Sequence, residues 1–439
     1  MYDAVFIEGM NKPTAMLFYE FFANDAQSAM INKGMPGVRV VPEPIVSECT
    51  VMEEIEAGVD GVMDDVVAAL TRPLTAEEKS PKPKKVEKPS RIIFKGNLQE
   101  VNRFFYQRGW ADGLPVVPPT EEAVAEMLTG TDLPPDHLVA ELEPRRGKAT
   151  VEKIAINAVM AGALPTYMPV LIAGVKALKS GSPSTIMMAA STGSFAPVWI
   201  VNGPIRHDLH INSSSGTLSP GDIANATIGR AMGLITKNVR GVRKGMEDMG
   251  ILGHPGKYTM VIGENEEANP WEPLHVERGF KKEDSTISLL FSQSFQQLGS
   301  YGTDDKGLLR TMVYNMTPGG MGAPWLILTP VNAQSLAKRG WTKKSINDYI
   351  VENARAPRDH FPRLPGMGED KGDPKEPVPI IRLRPGQSNP IQILVFGGLN
   401  PLIGFLSGGY TVTEKIELPA NWNKLVAKYK NVVPTYARY

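Results

Sequence analysis

Five carboxylates, one imidazole and one guanidinium fall within the fifteen residues Glu264–Arg278, ENEEANPWEPLHVER. Those residue types at that density suit proton transfer. An imidazole exchanges a proton near neutral pH, and a neighbouring carboxylate can fix its tautomer. His275 is the candidate general base or acid, Glu277 its orienting partner, and Glu264 or Glu267 the second acid/base group. Arg278 is a candidate for holding substrate. Glu264 and Glu267 are also oxygen donors of the kind hard cations prefer, although no metal is assigned. Pro270 and Pro273 stiffen the segment, which favours a fixed constellation. The competing reading is a solvated acidic loop in which Arg278 pairs with a nearby glutamate.

A second group of candidates surrounds Asn202-Gly203-Pro204, which follows an apolar run ending at Val201. Further on, Asn212-Ser213-Ser214-Ser215-Gly216 leads to Ser219-Pro220-Gly221-Asp222. That tetrapeptide predicts a helix start, with a hydroxyl cap, proline at the first position and a carboxylate at the third. Free amides behind a hydroxyl-rich loop suit a carboxylate or phosphate, so Asn202 and Asn212 are candidate substrate-binding residues. Plain capping and turn chemistry compete with that reading. His207 and His210 would share one helix face as a metal pair, but no third ligand is identifiable. In Arg108–Thr120, RGWADGLPVVPPT, two glycines and three prolines fix the backbone. Asp112 is a candidate there for substrate binding, for capping or for pairing with Arg108. Pro318–Pro324 and Gly397-Gly398 match neither the phosphate loop nor the dinucleotide fingerprint, and no cofactor is identified.

The elements that must position these residues read as α/β. Residues 2–8 predict a buried strand, Thr14 caps a helix to about Asn32, Val38–Pro42 predicts a strand and Val51–Leu70 a helix. This makes a small β-α-β-α unit over residues 1–72. Residues 73–90 form a linker, within a stretch from Thr71 to Ser90 that holds four prolines and five lysines. Residues 91–439 predict a large α/β domain carrying the site. Its helices are expected at Leu98–Arg108, Glu121–Leu128, Val151–Ala163, Met168–Lys179, Pro220–Thr236, Pro330–Arg339 and Lys343–Asn353. Its strands are expected at Val198–Val201, Tyr258–Ile262, Thr286–Phe291, Trp325–Leu328 and Ile391–Phe396. No repeat of fixed period is visible.

Composition narrows the function classes. The 439 residues carry 47 basic and 47 acidic side chains, which argues against bulk-charge binding of nucleic acid or an anionic membrane. A single cysteine, Cys49, excludes a disulfide within the chain and a Cys-based zinc site. No charged-then-apolar leader and no long apolar run appear, so the expectation is a cytoplasmic protein with no membrane partner.

RGWADGLPVVPPT, with VNGP at Val201–Pro204, NATIGR at Asn225–Arg230 and ENEEANPWEPLHVERGF at Glu264–Phe280, resembles the large bacterial proteins associated with the UGSC family of (seleno)proteins. The likeness spans about Phe104 to Ile416. It implies that the N-terminal unit is a UGSC/thioredoxin-like remnant. In that family a Sec/Cys-Gly-Ser-Cys motif follows the first strand. Here the equivalent stretch is Glu8-Gly9-Met10-Asn11-Lys12-Pro13-Thr14, without cysteine. The expectation is therefore an oligomeric enzyme, or enzyme subunit, acting on a small-molecule substrate by lyase, hydratase or hydrolase chemistry. The alternatives are a component of a thiol- or selenol-dependent reductase whose Cys/Sec motif lies on a partner chain, and a non-catalytic subunit of a hetero-complex.

Overall fold

The computed structural model describes residues 2–19, 22, 26, 30, 34, 35, 37–44, 51–76, 91–318, 324–361, 372–381, 390–408 and 411–435. Most of the expected linker, and Cys49, lie outside them. No helix among the described residues is long and apolar enough to cross a membrane.

Two four-stranded sheets organise the chain from Ala196 onward. In the first, the spatial order is Thr411–Lys415, Thr286–Ser292, Ala196–Asn202, Val261–Gly263. The last two pair parallel, and the other neighbours pair antiparallel. In the second, the order is Phe295–Gly299, Leu402–Leu406, Trp325–Leu328, Gln392–Val395, with the same sequence of pairings. The registers correspond. Val201 faces Gly263 and Ile287 in one sheet, and Leu328 faces Val395 and Ile403 in the other.

The two halves exchange their fourth strands. Thr286–Ser292 turns through Gln293-Ser294 into Phe295–Gly299, which joins the second sheet. Leu402–Leu406 leads into Thr411–Lys415, which returns to the first. The connections meet where Ser407 Oγ accepts from the backbone N–H groups of Gln293 and Ser294, both at 2.9 Å.

Strand alternation dictates the layering, because successive side chains point to opposite faces. Val198, Ile200, Ile262 and Leu290 from the first sheet meet Trp325, Ile327, Leu394 and Leu406 from the second in one apolar layer. On the outer face of the first sheet, Trp199, Val201, Val261 and Leu289 pack with residues of the helices Val151–Ala161, Met168–Ser180 and Ile223–Asn238. On the outer face of the second, Leu326, Leu328, Ile393 and Phe405 pack with residues of Asp305–Tyr314, Pro330–Lys338 and Lys343–Asn353. The order is helices, sheet, sheet, helices. The three strands of each sheet other than the edge strands Thr411–Lys415 and Phe295–Gly299 are covered on both faces, which explains their almost unbroken apolar runs.

The mixed α/β expectation is met, and most predicted helices after residue 91 begin and end within a few residues of their expected limits. Three corrections stand out. Residues 2–8 are a helix, not a strand, and the expected Thr14 helix opens as the strand Ala15–Tyr19. That strand pairs parallel with Arg39–Glu43, ahead of the helix Met52–Thr71. A short apolar run does not distinguish strand from helix by its periodicity. The helix expected from Pro220 starts at Ile223, because Gly221 takes φ 139° and Asp222 makes no side-chain cap.

Candidate functional site

Asn202 and Glu264 stand at the C-terminal ends of the two parallel strands of the first sheet, where α/β proteins concentrate their sites. Both are fully buried. Glu264 accepts from Asn202 Nδ2 at 2.7 Å, from Asn269 Nδ2 at 2.9 Å and from the backbone N–H of Leu274 at 2.8 Å. Burial pushes its carboxyl above the usual range, against the nearby Lys343 charge and the Asn202 and Leu274 donors. Glu266 accepts from Asn202 Nδ2 at 3.1 Å and from Gly203 N–H at 2.7 Å. Gly203 takes φ 84°, and a Cβ there would lie 2.2 Å from the Asp284 carbonyl oxygen, so only glycine admits this approach.

Arg206, on the one-turn helix Ile205–Asp208, is the hub. It is 3% exposed. Its Nη1 donates to the Glu264 carbonyl at 2.6 Å, its Nη2 to Glu267 Oε1 at 2.9 Å, and its Nε lies 3.1 Å from Glu266 Oε1. Glu267 also meets His207 Nε2 at 2.8 Å. Burial would raise the Glu267 carboxyl, but the Arg206 and His207 contacts outweigh it and hold it down at about 2. Arg206 was not among the sequence candidates. The only signal for it was its place two residues after Pro204, just past a strand end.

His275 and Glu277 do not form the expected pair. They lie two apart on the one-turn helix Leu274–Glu277, and residues so spaced do not share a face. His275 is fully buried, with Nδ1 4.0 Å from Glu266 Oε1 and Nε2–H directed at the Lys282 carbonyl at 3.4 Å. Glu277 instead pairs with Lys343 Nζ at 3.0 Å, while burial raises its carboxyl. His275 Nδ1, Asn202 Oδ1 and Thr286 Oγ1 are buried without a hydrogen-bond partner among the described residues.

The acidic segment straps the first half onto the second. The backbone N–H of Asn265 donates to Val395 O at 2.8 Å, and Lys343 Nζ to Glu272 O at 2.7 Å. Trp271 Nε1 donates to Trp341 O at 3.0 Å, and Arg278 Nη2 to Gln392 Oε1 at 3.1 Å. Arg278 is thus engaged in this clamp. Asn212 is consumed by its own loop: Nδ2 donates to Asp222 Oδ2 at 2.8 Å and to Ser215 O at 3.1 Å, and Oδ1 accepts from Ser214 N–H. Asp112 is held by both nitrogens of an Arg230 fork, at 2.8 and 3.0 Å, rather than by Arg108. His210 takes φ 53°, which ends the helical run and separates it from His207.

A cavity of about 440 Å³ opens at the matching strand ends of the second half. Thr329 there corresponds to Asn202, and Phe396 to Glu264. The Glu264 N–H donates to Val201 O at 3.3 Å, and the Phe396 N–H donates to Leu328 O at 3.3 Å. Ile327, Thr329 and Phe396 form a buried floor. Ser214–Ser219, Phe295, Gln297 and Gly397–Asn400 complete the walls. The Asn212 loop couples the two strand ends, since Asn212 O accepts from Gly263 N–H and Ser213 O from Gly397 N–H. The Asn212–Gly216 loop and Gly397-Gly398 were singled out in sequence, but not that they meet, because the lining is made of ordinary serines, glycines and apolar side chains drawn from four distant segments. Comparison with protein-family models, curated proteins and solved structures finds no match.

Proposed function

We propose that the chain is the substrate-binding component of an enzyme of small-molecule metabolism, with the substrate held in the 440 Å³ cavity and the reacting group presented by a partner chain. The observation that carries this reading is the cavity's lining, in which no residue among those described bears a charge or titrates near neutral pH. Glu264 and His275, the groups chosen for proton transfer, are wholly buried and do not line it. An apolar floor with hydrogen-bonding groups around it, at the C-terminal ends of strands, is the usual form of a small-molecule site. The absence of cysteine from Glu8–Thr14 agrees with a thiol or selenol supplied in trans. The test is to find a compound that stabilises the chain thermally, then to incubate it with the chain alone and with a partner bearing a Cys/Sec-Gly-Ser-Cys segment. Binding without turnover by the chain alone, and turnover with the partner, is expected. Turnover by the isolated chain would reject the reading.

A second reading rests on the one acid-base couple of the cluster that meets solvent. His207 and Glu267 lie 2.8 Å apart, with side chains 53% and 56% exposed, and Arg206 anchors the carboxylate. If this pair transfers protons, His207→Ala and Glu267→Gln should each cut turnover roughly 10²–10⁴-fold. Unchanged turnover in both variants leaves the cavity reading alone.

A further inference from the structure

Resting on the cavity reading above, we infer that the ligand is uncharged: a ring that carries hydroxyl or amide groups on one edge and presents a hydrocarbon face to the other. Three features lead there. The hydroxyls of Ser214, Ser215 and Ser219 and the carboxamides of Gln297 and Asn400 line the cavity and make no hydrogen bond within the described residues. Each hydroxyl both donates and accepts, and each carboxamide offers a donor beside an acceptor, so together they match a polar edge without a countercharge. Phe396 and Ile327, both from the apolar layer between the sheets, also line the cavity, and a ring face can be buried against them.

An anion is disfavoured for reasons specific to this cavity. The helix Pro330–Lys338 begins beside it, but Pro330 supplies no N–H, and the Thr329 hydroxyl is turned to the Leu402 carbonyl at 3.4 Å. Behind the serine wall stands the carboxylate of Asp222, held by Asn212, whose charge opposes a second negative group. Among the described residues, no lysine, arginine or histidine lines the cavity to neutralise an anion, and no aspartate or glutamate lines it to hold a cation. A charge brought onto this floor would lose hydration without gaining a partner.

The glycine loop sets the fit on the serine side. A Cβ on Gly398 would lie 3.1 Å from Cβ and Oγ of Ser215, so a larger side chain there crowds a wall that the ligand must use.

The experiment is a calorimetric titration of the full chain with matched probes: glucose, myo-inositol and uracil against glucuronate, glucose 6-phosphate and orotate. At least one uncharged probe should bind, with its charged counterpart at least tenfold weaker. Gln297→Leu and Asn400→Leu should each weaken it about three- to tenfold, the range of one neutral hydrogen bond. Both side chains are exposed, so folding should survive, and an unchanged melting temperature verifies it. Tighter binding of the charged member overturns this inference and leaves the cavity reading standing. If no probe binds, or if binding is indifferent to Gln297→Leu, Asn400→Leu and Gly398→Val in folded protein, the cavity reading itself falls.

Discussion

The ends of the two parallel strand pairs share a backbone plan and differ in what fills them. In the first half, Asn202 and Glu264 are covered by the strap that runs from residue 264 to 285, with Leu274 tucked into the layer between the sheets. In the second, Thr329 and Phe396 occupy the same positions, the connection spans only residues 396–401, and the space is open. A long connection at a strand end can thus turn a site location into a clamp. Charged residues gathered there hold the halves together by satisfying one another, while the short connection leaves room for a ligand. Density of chemistry-bearing residues in sequence marked the clamp, and openness in space marks the candidate site.

The contrast breaks most readily at Arg206. Replacing a buried guanidinium that serves three glutamates leaves charges unpaired, so Arg206→Ala should destabilise by about 3–5 kcal/mol in urea unfolding. Thr329→Ala, at a counterpart strand end without ion pairs, should cost under about 1 kcal/mol. Equal costs at the two positions would mean that the first-half network is no clamp.

His275→Ala should follow at roughly 2–4 kcal/mol, as for truncation of a large buried side chain. Thermal denaturation reads this directly, and a melting temperature equal to wild type would return His275 to the status of a free loop histidine.

Acid should loosen the clamp through Glu267. Its folded value of about 2 lies below the ordinary ~4.3 of a glutamate. Its contribution is therefore present above ~4.3 and is lost as pH falls toward 2. Glu267→Gln should show a shallower fall in stability over that window than wild type, and parallel profiles would remove Glu267 from the network. The smallest effect belongs to the open half. Gly398→Ala should change stability by no more than a few tenths of a kcal/mol, since φ at Gly398 is not left-handed and the exposed Ser215 can give way.

The sequence carried the elements better than their arrangement. Capped, amphipathic helices such as Glu121–Leu128 and Lys343–Asn353 appear at their expected limits, because caps and periodicity are local signals. The correspondence between the two sheets was invisible. Counterparts such as Asn202 and Thr329, or Glu264 and Phe396, share no identity, and the spacing between counterparts differs from strand to strand. The exchanged arm Phe295–Gly299 is largely exposed and lacks an apolar stripe, so nothing local marked it as a strand. Asn202 and Glu264 were correctly placed at strand ends and belong to one network. Which side chains face a cavity depends on the length and docking of a connection, and that is settled only by contacts between distant segments.

The most direct test of the account is a crystal structure of the chain with the tightest uncharged probe. The ligand should lie on Phe396 and Ile327 with hydrogen bonds to Gln297 or Asn400, leaving Glu264 and His275 untouched. A ligand found instead against Glu267 and His207, with the second-half cavity containing only solvent, would contradict it.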